Sequence, residues 1–309
     1  MPTQFPLKIS SFVRSAMENY QPVLALESTV VTHGLPYPRN FEVLEDLEAI
    51  AIAEGVIPAT IAVIDGECCI GLDQGQKQYL AEHFQTEHSG QIKKLGIRDL
   101  SLAMVMGYCG GTTVSATMFL AQQAGIKVFA TGGIGGVHRA WQDVPDVSSD
   151  LQALSRIPVI VVCAGTKAIL DVRATLEVLE SMAIPVLGWH CDDYPVFYSR
   201  KSGLKISRID SAAQIAQVYR LSQSSSYLNT GILVANPIPE ADEIPASEIE
   251  PFIQSAIHEA ELRGIGGKEL TPFLLSALAQ STAGKSVESN LALLRNNVSV
   301  GAKIARELE

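Results

Sequence analysis

Six short apolar runs, at positions 23–26, 60–64, 127–130, 159–163, 186–188 and 231–235, alternate with amphipathic stretches of helical spacing at 41–54, 113–124, 168–183 and 211–222. Runs of three to five residues make a strand rather than a helix, and a strand with no polar alternation is buried on both faces. That is the condition of a parallel sheet covered by helices. Gly55, Gly125 and Pro185 stand where such helices should stop. After Asn236-Pro-Ile-Pro-Glu240 the pattern turns wholly helical, at 246–263, 269–281 and 285–308. The expected fold is α/β, a three-layer α-β-α arrangement with a mostly parallel central sheet and a C-terminal helical layer. No linker or repeat interrupts it, so residues 1–309 are expected to form a single domain.

Composition narrows the partners. Hydrophobic residues make up 47% of the chain, ample for a core, while the formal charge of −10 opposes binding to a nucleic-acid backbone. A free nucleotide or sugar phosphate remains open. The five cysteines include the adjacent Cys68 and Cys69 but no C-x-x-C pair, so neither a disulfide framework nor a zinc site is suggested. The N-terminal residues lack an apolar signal core and no run is long enough to span a bilayer. The expectation is a soluble, cytoplasmic protein with no membrane partner.

The segment Phe129-Ala-Thr-Gly-Gly-Ile-Gly-Gly-Val-His138-Arg139, with Asp146-Val-Ser-Ser-Asp150 and Cys163-Ala-Gly-Thr-Lys167 after it, concentrates reactive side chains behind apolar runs. Open α/β sheets bind ligands at the carboxyl ends of their strands. A lysine there loses solvation, and a fall from ~10.4 to roughly 7–8 would free Lys167 for attack on a carbonyl carbon. The competing reading is a fixed positive charge for a phosphate. Glu27 follows the run 23–26 and, if the strands are parallel, reaches the same edge. Partial desolvation would fit it as a general acid, and a carboxylate tied up in a turn or ion pair is the alternative.

Gly133-Ile-Gly135-Gly-Val-His138 breaks the dinucleotide-binding spacing at its last position. Gly110-Gly-Thr-Thr113-Val114 is better placed for a phosphate, at the head of a helix, although an N-capped turn has the same letters. Asp143, Asp146 and Asp150 with Ser148 and Ser149 form an acidic, hydroxyl-rich loop suited to a hard divalent cation held partly by water, or simply to a helix N-cap. Among the histidines, His138 stands out by position. His33, His83, His88, His190 and His258 show no metal-pair spacing and are taken as surface or packing residues.

Nine blocks in order carry a family likeness: Ala25-Leu-Glu27-Ser-Thr, His33-Gly-Leu-Pro-Tyr-Pro, Pro58-Ala-Thr-Ile-Ala-Val-Ile-Asp-Gly66, Gly111-Thr-Thr-Val-Ser-Ala-Thr-Met118, Ala130 to Arg139, Cys163 to Lys167, Phe197-Tyr-Ser-Arg200, Val234-Ala-Asn-Pro-Ile-Pro239 and Gly267-Lys-Glu-Leu-Thr-Pro-Phe-Leu274. The chain resembles, over nearly its whole length, the pseudouridine-5′-phosphate glycosidase family, also called indigoidine synthase A-like. The resemblance implies reversible cleavage of the carbon–carbon glycosidic bond of pseudouridine 5′-phosphate to uracil and ribose 5-phosphate. In the implied chemistry Lys167 matches the nucleophile, which passes through an imine, and Glu27 matches the proton donor. Asp146 matches a ligand of one Mn²⁺ per subunit, with Mg²⁺ an alternative. Lys94, Val114, Ser148, Ser149 and Asp150 match substrate contacts, which Thr113 and His138 adjoin, and a homotrimer is implied. Ser149 and Ala168 depart from the family's usual alanine and serine, and Tyr108-Cys-Gly-Gly and Trp189-His-Cys-Asp-Asp193 depart from its usual turns. Another sugar-phosphate activity through a lysine imine, or a binding protein without catalysis, are the other readings.

Overall fold

A computed structural model describes residues 5–83, 92–139, 141–142, 145–225 and 228–309, the side chain of Lys268 excepted. Among these residues one sheet comprises β1 (Lys8–Ile9), β2 (Val23–Leu26), β3 (Ile57–Ile64), β4 (Glu67–Ile70), β5 (Ile92–Leu95), β6 (Cys109–Thr112), β7 (Val128–Ala130), β8 (Ile160–Cys163), β9 (Val186–Trp189), β10 (Ser207–Ile209) and β11 (Ile232–Ala235). Strands β3-β2-β7-β8-β11-β9-β10 lie side by side and parallel. The far half of β3 pairs antiparallel with β4 and β6, and β1 and β5 run parallel beside those two.

The expected fold class holds, and the six apolar runs fall on β2, β3, β7, β8, β9 and β11. Side chains alternate across the pleat. Leu24, Leu26, Val128, Ala130, Ile160, Val162, Ile232 and Val234 face one core, with the helices Arg39–Ala53, Ala212–Gln223, Ala246–Leu262, Leu270–Ser281 and Lys285–Arg306. Val23, Ala25, Phe129, Val161, Cys163, Leu233 and Ala235 face the other, with Ser11–Glu18, Val114–Ala124, Ser149–Leu154 and Val172–Ser181. The helix expected at 168–183 starts later, at Val172, because Asp171 caps it by accepting the Ala174 N–H at 2.9 Å. Gly301 lets the last helix lie close on the sheet: a Cβ there would sit 3.0 Å from Leu24 and 3.2 Å from Ala130.

Strand order reverses between β2 and β7. From β2 the chain builds outward through β3 and β4, then returns to lay β7 on the other side of β2 and continues to β8. That switch point leaves a crevice beyond the carboxyl ends of β2 and β7. Ser28 closes its floor, its hydroxyl donating to Ile61 O at 2.6 Å and accepting the Thr112 N–H at 3.0 Å, so the β5–β6 pair is fixed over the end of β2.

One buried cation braces the β3 side. The Lys77 ammonium donates to Glu45 at 2.6 Å and Glu48 at 2.8 Å, and Thr60 donates to Glu48 at 2.5 Å. Lys77→Ala would leave the largely buried Glu48 carboxylate without its cation. A loss of about 2–3 kcal/mol is expected in urea unfolding, because removing one partner of a buried pair strands the other.

Candidate active site

The crevice opens into a cavity of about 320 Å³. All ten residues singled out in the sequence line it: Glu27, Lys94, Thr113, Val114, His138, Asp146, Ser148, Ser149, Asp150 and Lys167. Asp143 and His88 lie outside the described residues.

Glu27 is the first residue beyond β2, and the register Leu26↔Ala130 and Ala130↔Val162 sets the ends of β7 and β8 beside it. Its Oε1 accepts the hydroxyl of Thr131, the first residue beyond β7. Burial raises the carboxyl above its ordinary 4.5; the charge of Lys167 and the Thr131 hydroxyl oppose that rise without cancelling it. A carboxyl so placed holds its proton to higher pH than an exposed one.

Lys167 sits on a loop stitched to the glycine run after β7. Ala164 N–H donates to Gly132 O at 2.9 Å, Ile134 N–H to Gly165 O at 3.1 Å and Lys167 N–H to Ile134 O at 3.2 Å. This stitching and close packing explain the glycines. A Cβ at Gly133 would meet the Phe197 ring at 2.6 Å, one at Gly135 the Ser148 hydroxyl at 2.3 Å, and one at Gly136 the Thr175 hydroxyl at 2.3 Å. The run serves loop packing, with no dinucleotide turn. Arg139 also anchors the Lys167 loop, donating to Ala168 O at 3.0 Å while its fork engages Glu250 of the helical layer at 2.5 and 3.0 Å.

The serine- and aspartate-rich loop folds back over the helix Val114–Ala124. Asp150 accepts the Ser115 N–H at 3.0 Å and the Gly135 N–H at 2.9 Å, one on each oxygen. A carboxylate thus already occupies the helix N-terminus that the sequence suggested for a phosphate. Gly110 and Gly111 lie within β6 rather than in a turn, and close neighbours account for the glycines: a Cβ would strike Lys93 O at 2.5 Å or the Thr32 hydroxyl at 2.2 Å. Ser149 hydrogen-bonds the Ser115 hydroxyl at 3.1 Å. Ser148 caps its own helix through the Asp150 N–H at 3.2 Å.

Among the described residues three cations line the cavity, Lys167 from the loop beyond β8, Lys94 from β5 and the largely exposed Arg98. Strand alternation separates Lys94 from its neighbour Lys93, whose ammonium stands 5.6 Å from the Tyr108 ring centroid. The Lys94 charge acts on Glu27, His33 and His138 alike. His33, read from sequence as a packing residue, lines the cavity, with Nδ1 2.7 Å from the Thr32 hydroxyl. Burial and then Lys94 push it down to about 4, so its imidazole is neutral at pH 7. His138 is lowered by burial, against the pull of Asp146 3.9 Å away.

For a metal, the described residues offer no group of three His, Cys, Asp or Glu side chains. Of the four described carboxyl side chains that line the cavity, Asp150 accepts a main-chain N–H on each oxygen, Asp99 accepts the Gly96 N–H at 2.8 Å and Glu27 accepts the Thr131 hydroxyl, while the half-buried Asp146 faces His138 at 3.9 Å. One carboxylate beside open cavity volume fits a hard cation that keeps most of its water, as Mn²⁺ or Mg²⁺ does. His33, Phe197, Asn290, Thr271 and Leu275 also line the cavity and Thr131 supports it, and none of them was given a site role in the sequence. His33 had a signal, six residues after Glu27 in the same strand-end segment.

The family profile described as Indigoidine synthase A like protein matches residues 12–307. A protein of Caldanaerobacter subterraneus subsp. tengcongensis named pseudouridine-5′-phosphate glycosidase is 47% identical over 303 residues, covering 98% of this chain and 96% of its own. One of the same name from Methylobacterium nodulans is 48% identical over 294 residues, covering 95% and 85%. Among solved structures, an indigoidine synthase A-like protein of Thermotoga maritima superposes with a TM-score of 0.87 at 34% identity, over 99% of this chain and 97% of its own. The prealnumycin C-glycosynthase AlnA, in complex with ribulose 5-phosphate, gives 0.89 at 31% identity over 99% and 98%.

Proposed function

This chain belongs to the indigoidine synthase A-like family of enzymes, with the pseudouridine-5′-phosphate glycosidases, and from that premise we propose that it cleaves pseudouridine 5′-phosphate reversibly to uracil and ribose 5-phosphate. The observation that carries the proposal is the meeting of Glu27 and Lys167 in one cavity, at the ends of strands that lie in one parallel run. The pentose phosphate in the AlnA complex supports the substrate class.

In this reading Glu27 gives its proton to the ribose ring oxygen as the C1′–O bond breaks, and the Lys167 amine bonds to C1′. The nitrogen then returns a proton to the Glu27 carboxylate, C5 of the base takes that proton, and uracil leaves with the electron pair of the C1′–C5 bond while the nitrogen lone pair closes the iminium. Water then hydrolyses the imine, releasing ribose 5-phosphate and restoring the amine. A two-carboxylate glycosidase offers no such sink for a carbon leaving group. Lys94 supplies positive charge for the phosphate, and Ser148, Ser149, Thr113, Val114, Asp150 and His138 shape the rest of the site. Asp146 would hold Mn²⁺ or Mg²⁺, which supplies charge neutralisation for the phosphate.

The same reading includes a single domain, a homotrimer and a cytoplasmic setting. The exposed Leu102, Val105 and Met106 on the helix Leu100–Met106 suit a face between copies, and the five cysteines are free thiols. No described helix is long and apolar enough to cross a membrane.

The test is uracil release from pseudouridine 5′-phosphate, with and without chelator, joined to borohydride trapping with ribose 5-phosphate. Uracil release and an added sugar phosphate on Lys167 are expected, with chelator slowing turnover. Turnover with no trappable adduct would remove the imine, and no uracil at all would remove the substrate.

A further inference from the structure

Asn297 is fully buried in the last helix, Lys285–Arg306, among Leu293, Leu294 and Val298. A carboxamide at an apolar position costs stability unless all its groups are paired. Here they are paired towards the active site. Asn297 Nδ2 donates to Thr131 O at 2.8 Å, and Oδ1 accepts from Asn236 Nδ2 at 2.9 Å. Asn236, itself buried, begins the loop after β11, and its N–H donates to Cys163 O at 2.8 Å. The pair therefore ties the loop beyond β7 to the first residue beyond β11, whose own N–H is bonded to the end of β8 at the sheet's carboxyl edge.

Thr131 is the residue on which this clasp acts. Its N–H donates to Val162 O at 3.0 Å and its carbonyl is held by Asn297, so the main chain is fixed on both sides. What remains to it is the hydroxyl, and that goes to Glu27. We infer that Asn297 is a positioning residue for the acid Glu27, acting through the main chain of Thr131. A leucine at 297 would fill the same space at lower desolvation cost but would release the Thr131 carbonyl and unpair Asn236. The inference rests on the proposed role of Glu27, and it adds a residue that lines no part of the cavity.

The experiment is a double-mutant cycle in kcat for uracil release, with Thr131→Val, Asn297→Leu and the pair, and Thr131→Ser as the variant that keeps the hydroxyl. Each single change except Thr131→Ser is expected to lower kcat about 10- to 100-fold with KM within about twofold, and the double variant to fall no further than the worse single. The alkaline limb of the pH profile should move to higher pH both in Thr131→Val, which removes the hydroxyl bond to Glu27, and in Asn297→Leu, which frees the main chain that aims that hydroxyl, because the bond opposes the rise of the Glu27 carboxyl. Lys167, Asp150 and Lys94, the other charges acting on Glu27, stay in place in both. If Asn297→Leu does not fold, Asn297→Ser, which leaves Asn236 a hydroxyl partner, enters the same cycle. Multiplying effects, or an Asn297 variant within twofold of wild type, overturn the role of Asn297 alone. A wild-type enzyme that releases no uracil overturns the functional reading and this inference with it.

Discussion

Lys167→Ala is expected to lower uracil release by at least about ten-thousand-fold, because the nucleophile of a covalent route has no substitute within the site. Folding should survive. The loop is held by main-chain bonds, Lys167 N–H to Ile134 O at 3.2 Å and Leu170 N–H to Lys167 O at 3.0 Å, neither of which needs the side chain. Circular dichroism and the urea midpoint should stay near wild type. Lys167→Arg separates charge from nucleophilicity, since a guanidinium keeps the positive charge yet does not form an imine. If charge for the phosphate were the whole role, the arginine variant would keep a substantial share of the activity. An arginine variant as inactive as the alanine one is the expected result. One that retains more than about a hundredth of wild-type kcat/KM would leave Lys167 as a binding residue only.

The centre of the sheet was legible in the sequence because strands covered on both faces are written as unbroken apolar runs. β5, β6 and β10 were not legible. Ile92-Lys-Lys-Leu95 has one exposed and one cavity-facing lysine, Cys109-Gly-Gly-Thr112 is stripped to glycine by close neighbours, and the Ser207–Ile209 edge strand exposes two of its three residues. These pieces take their strand form from what they pair with, which local propensity does not record. At the site, Lys167 and Glu27 could be placed from strand ends, and Thr113, Val114, His138 and the loop from Asp146 to Asp150 stood out by residue type, whereas Lys94 came through family resemblance alone. Thr131 and Asn236 lie in blocks that carry the family likeness but drew no role from it, and Asn297 lies outside every block. Their roles exist only once residues 61 to 166 positions apart are brought into contact, and the one trace in the sequence is an asparagine within the apolar stripe of the last helix.

Glu27→Gln should move activity and stability in opposite directions. The amide keeps the shape but has no proton to give, so a loss of about 100- to 10,000-fold in kcat is expected, and with it the limb of the pH profile along which activity falls as Glu27 ionises. For stability the sign follows from burial. In the unfolded chain the carboxyl titrates near 4.5, while in the folded protein burial holds the proton to higher pH. Above pH 4.5 the folded state therefore binds more protons than the unfolded one, and the wild type loses stability as pH rises through the folded value. Glutamine has no such linkage. The variant should match the wild type in urea unfolding at pH 4 and exceed it at neutral pH, the gap opening as pH rises. A neutral-pH midpoint below wild type would mean that the Lys167 charge outweighs desolvation at Glu27. The carboxyl would then be an ion-pair partner rather than an acid held ready with its proton.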